Sequence, residues 1–246
     1  MDRLAWKAKI GLVVVSSSTV CEGRYPRVAP PDVGFFTSRM LLKDGGGLAA
    51  MEAMESHAAR AVEELASVPV DAIAYCCTVS GALRGVAADR DFCRDTERRW
   101  GIPITSTMLA ATEALTHLGL KRVVVTSPYP DDHHVAERAY LRQTGIDAIA
   151  MHGMGIEKGN EFAEVTPEEI YRFSLNAWDA RADGLFISCM NFDAMPVVQT
   201  LEDRIGKPVV TSHSATLWRA LALAGIDTPI PGYGRLLAQE ARLKKN

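Results

Sequence analysis

One pattern of residues occurs twice in this chain, once in each half. The first copy reads Asp71-Ala-Ile-Ala-Tyr-Cys-Cys77, and the second reads Asp183-Gly-Leu-Phe-Ile-Ser-Cys189. In both copies an aspartate precedes a short apolar run, and a cysteine stands six residues after the aspartate. A Gly-x-Pro segment follows each copy, at 101–103 and at 206–208. The repeat predicts two similarly folded halves, with Cys77 and Cys189 facing each other across a pseudo-two-fold cleft.

Short apolar runs alternate with longer amphipathic stretches along most of the chain. Several short runs are apolar throughout, as expected of parallel strands that helices cover on both faces. This alternation predicts an α/β fold of two similar Rossmann-like lobes, each a parallel sheet flanked by helices, with the active site in the cleft between them. We expect the first lobe to comprise residues 1–128 and 214–246, with a C-terminal helix returning to it, and the second lobe to comprise residues 129–213. The predicted strands are Ile10–Val15, Val33–Thr37, Ala72–Cys76, Pro103–Thr105, Arg122–Thr126, Ala148–Met151, Gly184–Ser188 and Pro208–Thr211, and the predicted helices span 48–66, 84–99, 107–118, 131–144, 167–180, 196–205 and 214–224.

The composition argues against several classes of function. The net charge of −3 indicates no basic surface for nucleic acid, and no apolar run approaches the roughly 20 residues that a helix needs to cross a bilayer. The five cysteines have no zinc-type spacing and fit free thiols in a reducing compartment. We therefore expect a cytoplasmic protein without a signal peptide, a metal or a cofactor. Residues 44–47 are a predicted flexible loop, and residues 243–246 a predicted frayed tail.

Hydroxyl, amide and thiol side chains follow the predicted strands, at the edge where open α/β sheets bind their ligands. Hydroxyls and the backbone N–H groups of helix N-termini form a good pocket for carboxylates. Helix N-termini also lower the pKa of a thiol, so either cysteine is expected to be a thiolate near neutral pH. Cys76 is expected to point away from Cys77 and to serve packing. The segments, none of which contains Lys or Arg, are Ser16–Thr19, Cys77–Gly81, Ser127–Tyr129, Cys189–Asn191 and Ser212–Ser214.

Several segments resemble the aspartate/glutamate racemase superfamily, and within it the branch of maleate cis–trans isomerases and arylmalonate decarboxylases. Ile10–Thr19 is similar to the first strand and following loop of the isomerases. Asp71–Cys77 resembles their nucleophile strand, with Cys77 at the nucleophile position. Ser127–Tyr129 resembles their substrate-binding tyrosine motif, and Ile187–Cys189 the segment with the second catalytic cysteine. Pro231–Arg235 is similar to the C-terminal Pro-Gly-Tyr-Gly-Arg of the decarboxylases.

The chain also departs from both groups of enzymes. Ser18 stands where the isomerases have an asparagine, and Thr78-Val-Ser80 where they have Leu-Val-Ala. A second substrate-binding asparagine of the isomerases falls on Gly159, beside Asn160. The decarboxylases have glycine at the position of Cys77, followed by Thr and Ser, and one catalytic cysteine. This chain therefore combines isomerase-like thiols with a decarboxylase-like Thr/Ser pocket.

Together, the facing cysteines and the resemblance predict a cofactor-independent cis–trans isomerase of a small dicarboxylate, maleate to fumarate or a close analogue. Cys77 as a thiolate would add to the double bond, and Cys189 would supply and later remove the proton at the neighbouring carbon. The alternatives are a two-cysteine racemase or epimerase of an amino acid or related acid, an arylmalonate-type decarboxylase, and a non-catalytic small-molecule sensor domain. We expect a homodimer or a higher homo-oligomer. The residues expected to bind the substrate are Ser16, Ser17, Ser18, Thr78, Val79, Tyr129, Asn160 and Met190.

Overall fold

The computed structural model describes residues 6–43 and 47–239, which form two four-stranded parallel sheets flanked by helices. The strands are β1 (Ala8–Val15), β2 (Val33–Met40), β3 (Ala72–Cys76), β4 (Ile104–Ser106), β5 (Arg122–Ser127), β6 (Asp147–Gly153), β7 (Gly184–Ile187) and β8 (Val209–Thr211). The order is β2-β1-β3-β4 in the first sheet and β6-β5-β7-β8 in the second, so both halves have one topology. The predicted architecture of two similar α/β lobes is confirmed.

Nine α-helices connect and cover these strands within the described ranges. The last of them, Ser212–Leu223, follows the second sheet but packs against β3 and β4 of the first. The proposed first lobe, residues 1–128 and 214–246, includes β5, which pairs with β6 and β7 in the second sheet, so the division between the sheets falls before residue 122 rather than after residue 128. The boundary after residue 213 stays a prediction. The helices are α1 (Val20–Val28), α2 (Leu48–Met54), α3 (Ala58–Ala66), α4 (Thr78–Trp100), α5 (Thr107–His117), α6 (Asp131–Gln143), α7 (Pro167–Ala177), α8 (Val198–Ile205) and α9 (Ser212–Leu223).

The repeated aspartate aligns the central strands of each sheet. Asp71 Oδ2 accepts a hydrogen bond from Lys9 N at 2.7 Å, and Asp183 Oδ2 accepts one from Arg122 N at 2.9 Å. In each half the aspartate also donates its own N–H, at 2.7 Å, to the carbonyl of the same partner residue. The two aspartates therefore fix β3 against β1 and β7 against β5 in the same register, which places the two cysteines at matching sheet positions.

The repeated Gly-x-Pro segment ends a helix and begins the next strand. Gly101 and Gly206 adopt left-handed conformations, with φ of 67° and 70°, at the C-termini of α4 and α8. Glycine adopts positive φ without the steric cost of a side chain, which explains its use at these caps. The proline carbonyls then join the sheets, since Pro103 O accepts from Ile73 N at 2.9 Å and Pro208 O from Leu185 N at 3.0 Å.

Two predicted helices differ from the structure, and one observed helix was not predicted. The predicted helix 84–99 begins earlier, at Thr78, because the segment after Cys77 already forms a helical turn before a kink at Gly85 (φ 73°). The predicted helix 48–66 is interrupted by a 3₁₀ turn at Glu55–His57. Helix α1 was not predicted, because its Pro26 indicates a turn rather than a helix.

Some predictions concern residues that the structure does not describe. Of the predicted loop at 44–47, all but Gly47 lies outside the described residues, as does the predicted tail at 243–246. In the described ranges, no helix combines the length and the apolar character that a membrane span requires.

Candidate active site

A small cavity of about 40 Å³ lies where the carboxyl ends of β1 and β3 meet those of β5 and β7. This is the edge of the sheets at which α/β proteins bind ligands. Of the predicted site residues, those that line the cavity are Ser17, Ser18, Cys77, Thr78, Val79, Tyr129, Cys189 and Met190. The lining residues that were not predicted to take part are Val15, Leu42, Met51, Cys76, Gly159, Phe162 and Asn191.

Cys77 lies between the end of β3 and the first turn of α4, as its N-cap residue. Ser80 Oγ donates a hydrogen bond to Cys77 Sγ at 3.0 Å. Burial raises the pKa of the Cys77 thiol, while the hydroxyl and backbone N–H of Ser80 lower it. The predicted lowering by the helix N-terminus is therefore outweighed, because the thiol is only 4% exposed.

Cys189 follows β7 in a strained turn. Its φ of 104° lies in a region that residues other than glycine rarely adopt. Two hydrogen bonds hold this conformation: Cys189 N donates to Ser212 Oγ at 3.1 Å, and Asn191 N donates to Cys189 Sγ at 3.2 Å. Burial raises the pKa of Cys189 to about 12, partly opposed by a hydrogen bond from Tyr129, and the charge of Cys77 raises it further. Cys189 is therefore a protonated thiol at neutral pH.

Ser212, the first residue of α9, connects the two cysteine segments. Its Oγ accepts from Cys189 N and lies 3.1 Å from Thr78 Oγ1, in the first turn after Cys77. The residue is completely buried and was not proposed as a site residue. The sequence feature that could have identified Ser212 is its place directly after β8, in one of the polar segments that follow the strands.

Tyr129 lies between two rings at the second lobe's side of the cavity. His133 is stacked on it, with ring centroids 5.3 Å apart and planes at 22°, and Phe162 meets it edge-on at 5.5 Å. Burial raises the pKa of Tyr129 well above its ordinary value, and the charges of Cys189 and Glu137 raise it further. The phenol therefore stays a hydrogen-bond donor, and Cys189 Sγ is its acceptor.

Two predicted substrate-binding residues lie outside the cavity lining. Ser16 Oγ accepts from Leu42 N at 2.9 Å, which occupies the hydroxyl with the loop after β2. Asn160 is exposed and caps a short 3₁₀ turn, whereas its neighbour Gly159 is buried in the lining. The amide in this region comes instead from Asn191.

Asn191 holds two loops of the cavity together. Its Oδ1 accepts from Thr19 N at 3.0 Å, and its Nδ2 donates to Gly159 O at 2.8 Å. These bonds fix the loop after β1 and the loop before α7 against the segment that carries Cys189. Its position two residues after Cys189 marked it as a polar residue at a strand end, but not as a site residue.

A third cysteine, Cys76, also belongs to the cavity lining. That it points away from Cys77 and serves packing stays a prediction. Cys76 hydrogen-bonds Cys21, and this bond, together with His213, lowers the pKa of Cys21 to about 6 despite its burial. Burial raises the pKa of Cys76 well above the ordinary value. The Cys21 side chain is not among the lining residues and lies beside the Met190 carbonyl, at 3.5 Å.

Among the described residues, neither Lys nor Arg lines the cavity. Arg84 lowers the pKa of Cys77 by its charge, but its guanidinium is committed elsewhere. It binds Glu55 at 2.7 Å and Asp89 at 2.6 Å, and it lies 4.5 Å from the ring centroid of Tyr75. A carboxylate in the cavity would therefore meet hydroxyls and the N–H groups of a helix N-terminus rather than a fixed cation.

Two aspartates and two histidines follow one another at 131–134, but their side chains do not share one position at which a metal ion could bind. His133 Nδ1 lies 2.9 Å from Asp132 Oδ1, whereas His134 Nε2 lies 2.8 Å from Ser127 Oγ. Across the part of the chain that the structure describes, no three His, Cys, Asp or Glu side chains are grouped as metal ligands.

Each of the two parallel-sheet lobes contributes a thiol to one cavity, and this arrangement defines a two-cysteine α/β protein with a site between its lobes. The family model described as arylmalonate decarboxylase matches residues 26–237. The chain therefore belongs to the arylmalonate decarboxylase family.

Curated relatives of this chain include an arylmalonate decarboxylase and several maleate isomerases. The arylmalonate decarboxylase of Bordetella bronchiseptica is 28% identical over 92% of this chain and 95% of its own length. The maleate isomerase of Nocardia farcinica is 27% identical over 95% of this chain and 96% of its own. A crystal structure of a Nocardia farcinica maleate cis-trans isomerase mutant with a covalently bound succinylcysteine intermediate has a TM-score of 0.88 at 24% identity, covering 94% of this chain and 98% of that one.

Proposed function

We propose that this chain is a cofactor-independent cis–trans isomerase of a small dicarboxylate, most concretely of maleate, with fumarate as the product. One observation carries the proposal: Cys77 and Cys189, from opposite lobes, are buried in one cavity that no Lys or Arg of the described residues lines. Maleate isomerases that align with nearly the whole chain support it.

The environments of the two thiols support different roles. Cys77 accepts a hydrogen bond from Ser80 that stabilises its thiolate, as a nucleophile requires. Cys189, with its pKa raised to about 12 by burial, holds a proton at neutral pH, as a general acid requires.

In the proposed reaction, the Cys77 thiolate forms a C–S bond at C2 of maleate while the π electrons move toward C3 and its carboxylate. The Cys189 thiol gives its proton to C3, which completes a succinyl-like adduct. The former double bond is now single, so rotation about C2–C3 is easy. The Cys189 thiolate then removes a proton from C3, the double bond re-forms in the trans geometry, and the C–S bond breaks. Both sulfur atoms return to their starting states, and no oxidant or reductant is needed.

Neutral groups would hold the two carboxylates. The hydroxyls and first-turn N–H groups beside Cys77 are suited to one carboxylate and to the charge that develops on it. The phenol beside Cys189 and the following backbone N–H are suited to the other. A fixed cation at either end would also retain the fumarate product. The proposed contacts are Ser17, Ser18, Thr78, Val79 N–H, Tyr129 and Met190 N–H.

Incubation with maleate tests the proposal directly. Fumarate formation is followed by the change in ultraviolet absorbance and by the olefinic proton singlet in NMR. Cys77→Ala is expected to abolish turnover, and Cys189→Ala to lower kcat by about 10²- to 10⁴-fold. Cys93→Ala is the matched control, because Cys93 is a buried thiol of α4 outside the cavity lining. Full activity of either cavity variant would contradict the two-thiol mechanism.

Arylmalonate decarboxylation is the second candidate, because Thr78 stands where the decarboxylases have a threonine and a decarboxylase is among the relatives. That reaction needs one proton donor and no nucleophile. Decarboxylation is therefore expected to survive Cys77→Ala and to fail in Cys189→Ala. A ligand that binds equally well to both variants without being converted would instead indicate a sensor domain. The homo-oligomeric state and the cytoplasmic location stay predictions.

A further inference from the structure

Glu137 is a buried carboxyl group that the proposed mechanism does not use. It lies on α6, is 2% exposed, and neither of its oxygens has a hydrogen-bond partner among the described residues. The side chain of Ser188 lowers the pKa of Glu137. Its Oγ is also buried and has no hydrogen-bond partner among the described residues. An unpaired buried carboxyl is costly and needs an explanation.

The position of Glu137 relates it directly to the candidate active site. Ser188 immediately precedes Cys189, and His133, which lies four residues before Glu137 on the same face of α6, stacks on Tyr129 with ring centroids 5.3 Å apart. Both Tyr129 and Cys189 line the cavity. The Glu137 carboxyl therefore belongs to the support of Tyr129 and Cys189, and it is not itself a residue of the cavity lining. Its ionisation would add a negative charge beside the place where the proposed substrate brings two.

We propose that Glu137 is a positioning residue that keeps the site neutral: it is a carboxylic acid in the complex with a dicarboxylate and takes up a proton when the ligand binds. The inference rests on the proposed dicarboxylate function. The proton that Glu137 takes up would offset one negative charge of the bound dicarboxylate, in a cavity that no Lys or Arg of the described residues lines.

The surroundings of Glu137 support proton uptake at this group. Burial raises the pKa of Glu137 to about 7, and Ser188 opposes this shift, so a modest change in nearby charge alters its protonation. Burial also lowers the pKa of His134 on the same helix, which keeps that ring neutral. The elements packed against α6 are α4 and β6, and their titratable or charged side chains include Arg84, Asp89, Arg90 and Cys93 on α4 and Asp147 and His152 on β6. Tyr129 and Cys189 follow β5 and β7, and α6 itself carries Asp131, Asp132, His133, His134, Arg138, Tyr140 and Arg142.

Binding of succinate across pH 6 to 8.5 tests the inference, because this C4 dicarboxylate has no double bond for Cys77 to attack. If the proton is required, the Kd of the wild type rises about tenfold per pH unit above about 7. Glu137→Gln mimics the protonated acid, and its Kd is expected to be flat over the same range. Asp131→Asn, which removes an exposed negative charge from the same helix, is expected to keep the wild-type pH dependence.

Calorimetry on the wild type gives a second measurement that does not depend on how the variant folds. Titration with succinate at pH 8 in two buffers of different ionisation enthalpy is expected to show close to one proton taken up per ligand. A Kd that is independent of pH, no proton uptake, or a pH dependence that persists in Glu137→Gln would each overturn the role of Glu137.

The two proposals fail in different ways. If maleate is converted, and its KM depends on pH equally in the wild type and in Glu137→Gln, the isomerase proposal holds and the role of Glu137 is refuted. If succinate binds with proton uptake but maleate is not converted, the role of Glu137 holds and the isomerase proposal is refuted. Failure to bind succinate, with no turnover of maleate, would overturn both.

Discussion

Replacing Ser80 by alanine would remove the hydroxyl that donates to Cys77 Sγ at 3.0 Å, at a site where Ser80 is 1% exposed. A hydrogen bond to a charged group contributes about 1.5 to 3 kcal/mol. Without it the thiolate population at neutral pH falls by about 10- to 100-fold, since about 1.4 kcal/mol corresponds to a factor of ten. A more basic thiolate is a better nucleophile, and this offsets roughly half of the loss on a logarithmic scale. The net expectation is a decrease in kcat/KM for maleate of about 3- to 10-fold at neutral pH.

The pH dependence of kcat/KM in Ser80→Ala provides the decisive measurement, because the loss is expected to shrink as the pH rises and more thiolate forms. Labelling of Cys77 by iodoacetamide, located by peptide mass spectrometry, reports the same ionisation without substrate. Ser80→Thr retains the hydroxyl and is the matched control. Labelling curves of Ser80→Ala and wild type that superpose would refute the reasoning, since Ser80 would then have no influence on the thiolate.

Three further changes test other contacts of the site and its support. Tyr129→Phe removes the donor to Cys189 while keeping the ring between His133 and Phe162, and is expected to lower kcat by about 100-fold with little change in thermal stability. Ser212→Ala removes the acceptor of Cys189 N, so kcat should fall more than affinity for succinate, as initial rates and calorimetry would show. Asp89→Asn removes the buried charge paired with Arg84 at 2.6 Å, and urea unfolding should show a loss of about 3 kcal/mol.

The parts of the fold that sequence alone predicted depend on local rules. The repeated aspartates and Gly-x-Pro segments marked strand starts and helix ends, because hydrogen bonding and left-handed glycines act within a few residues of those positions. Helix α1 was not predicted, because tertiary packing rather than a local rule stabilises it. Its Pro26 contradicts the local rule, and burial of Cys21 and Tyr25 against the core stabilises the helix instead.

The parts of the site that sequence did not predict depend on the other lobe. Asn160 and Gly159 are neighbours, and only the packing of the loop beside Asn191 decides that Gly159 faces the cavity. The elevated pKa of Cys77 likewise comes from burial, which depends on both lobes closing over the thiol. Glu137 belongs to no sequence motif, and its lack of a hydrogen-bond partner among the described residues becomes visible only in the folded structure.

The repeat is broken at the cysteines themselves, and this break bears on which reaction the site supports. Cys77 has an ordinary extended backbone, with φ of −145°, and begins a helix, whereas Cys189 at the matching position has φ of 104° in a turn. A racemase that exchanges protons across a planar carbon needs two thiols that can interchange the roles of acid and base. Here burial raises the pKa of both thiols, that of Cys189 to about 12, while the Ser80 hydroxyl opposes the shift at Cys77 and a backbone N–H contacts Cys189 Sγ. Such unequal environments favour a fixed nucleophile and a fixed acid, which is the division of roles that covalent cis–trans isomerisation requires.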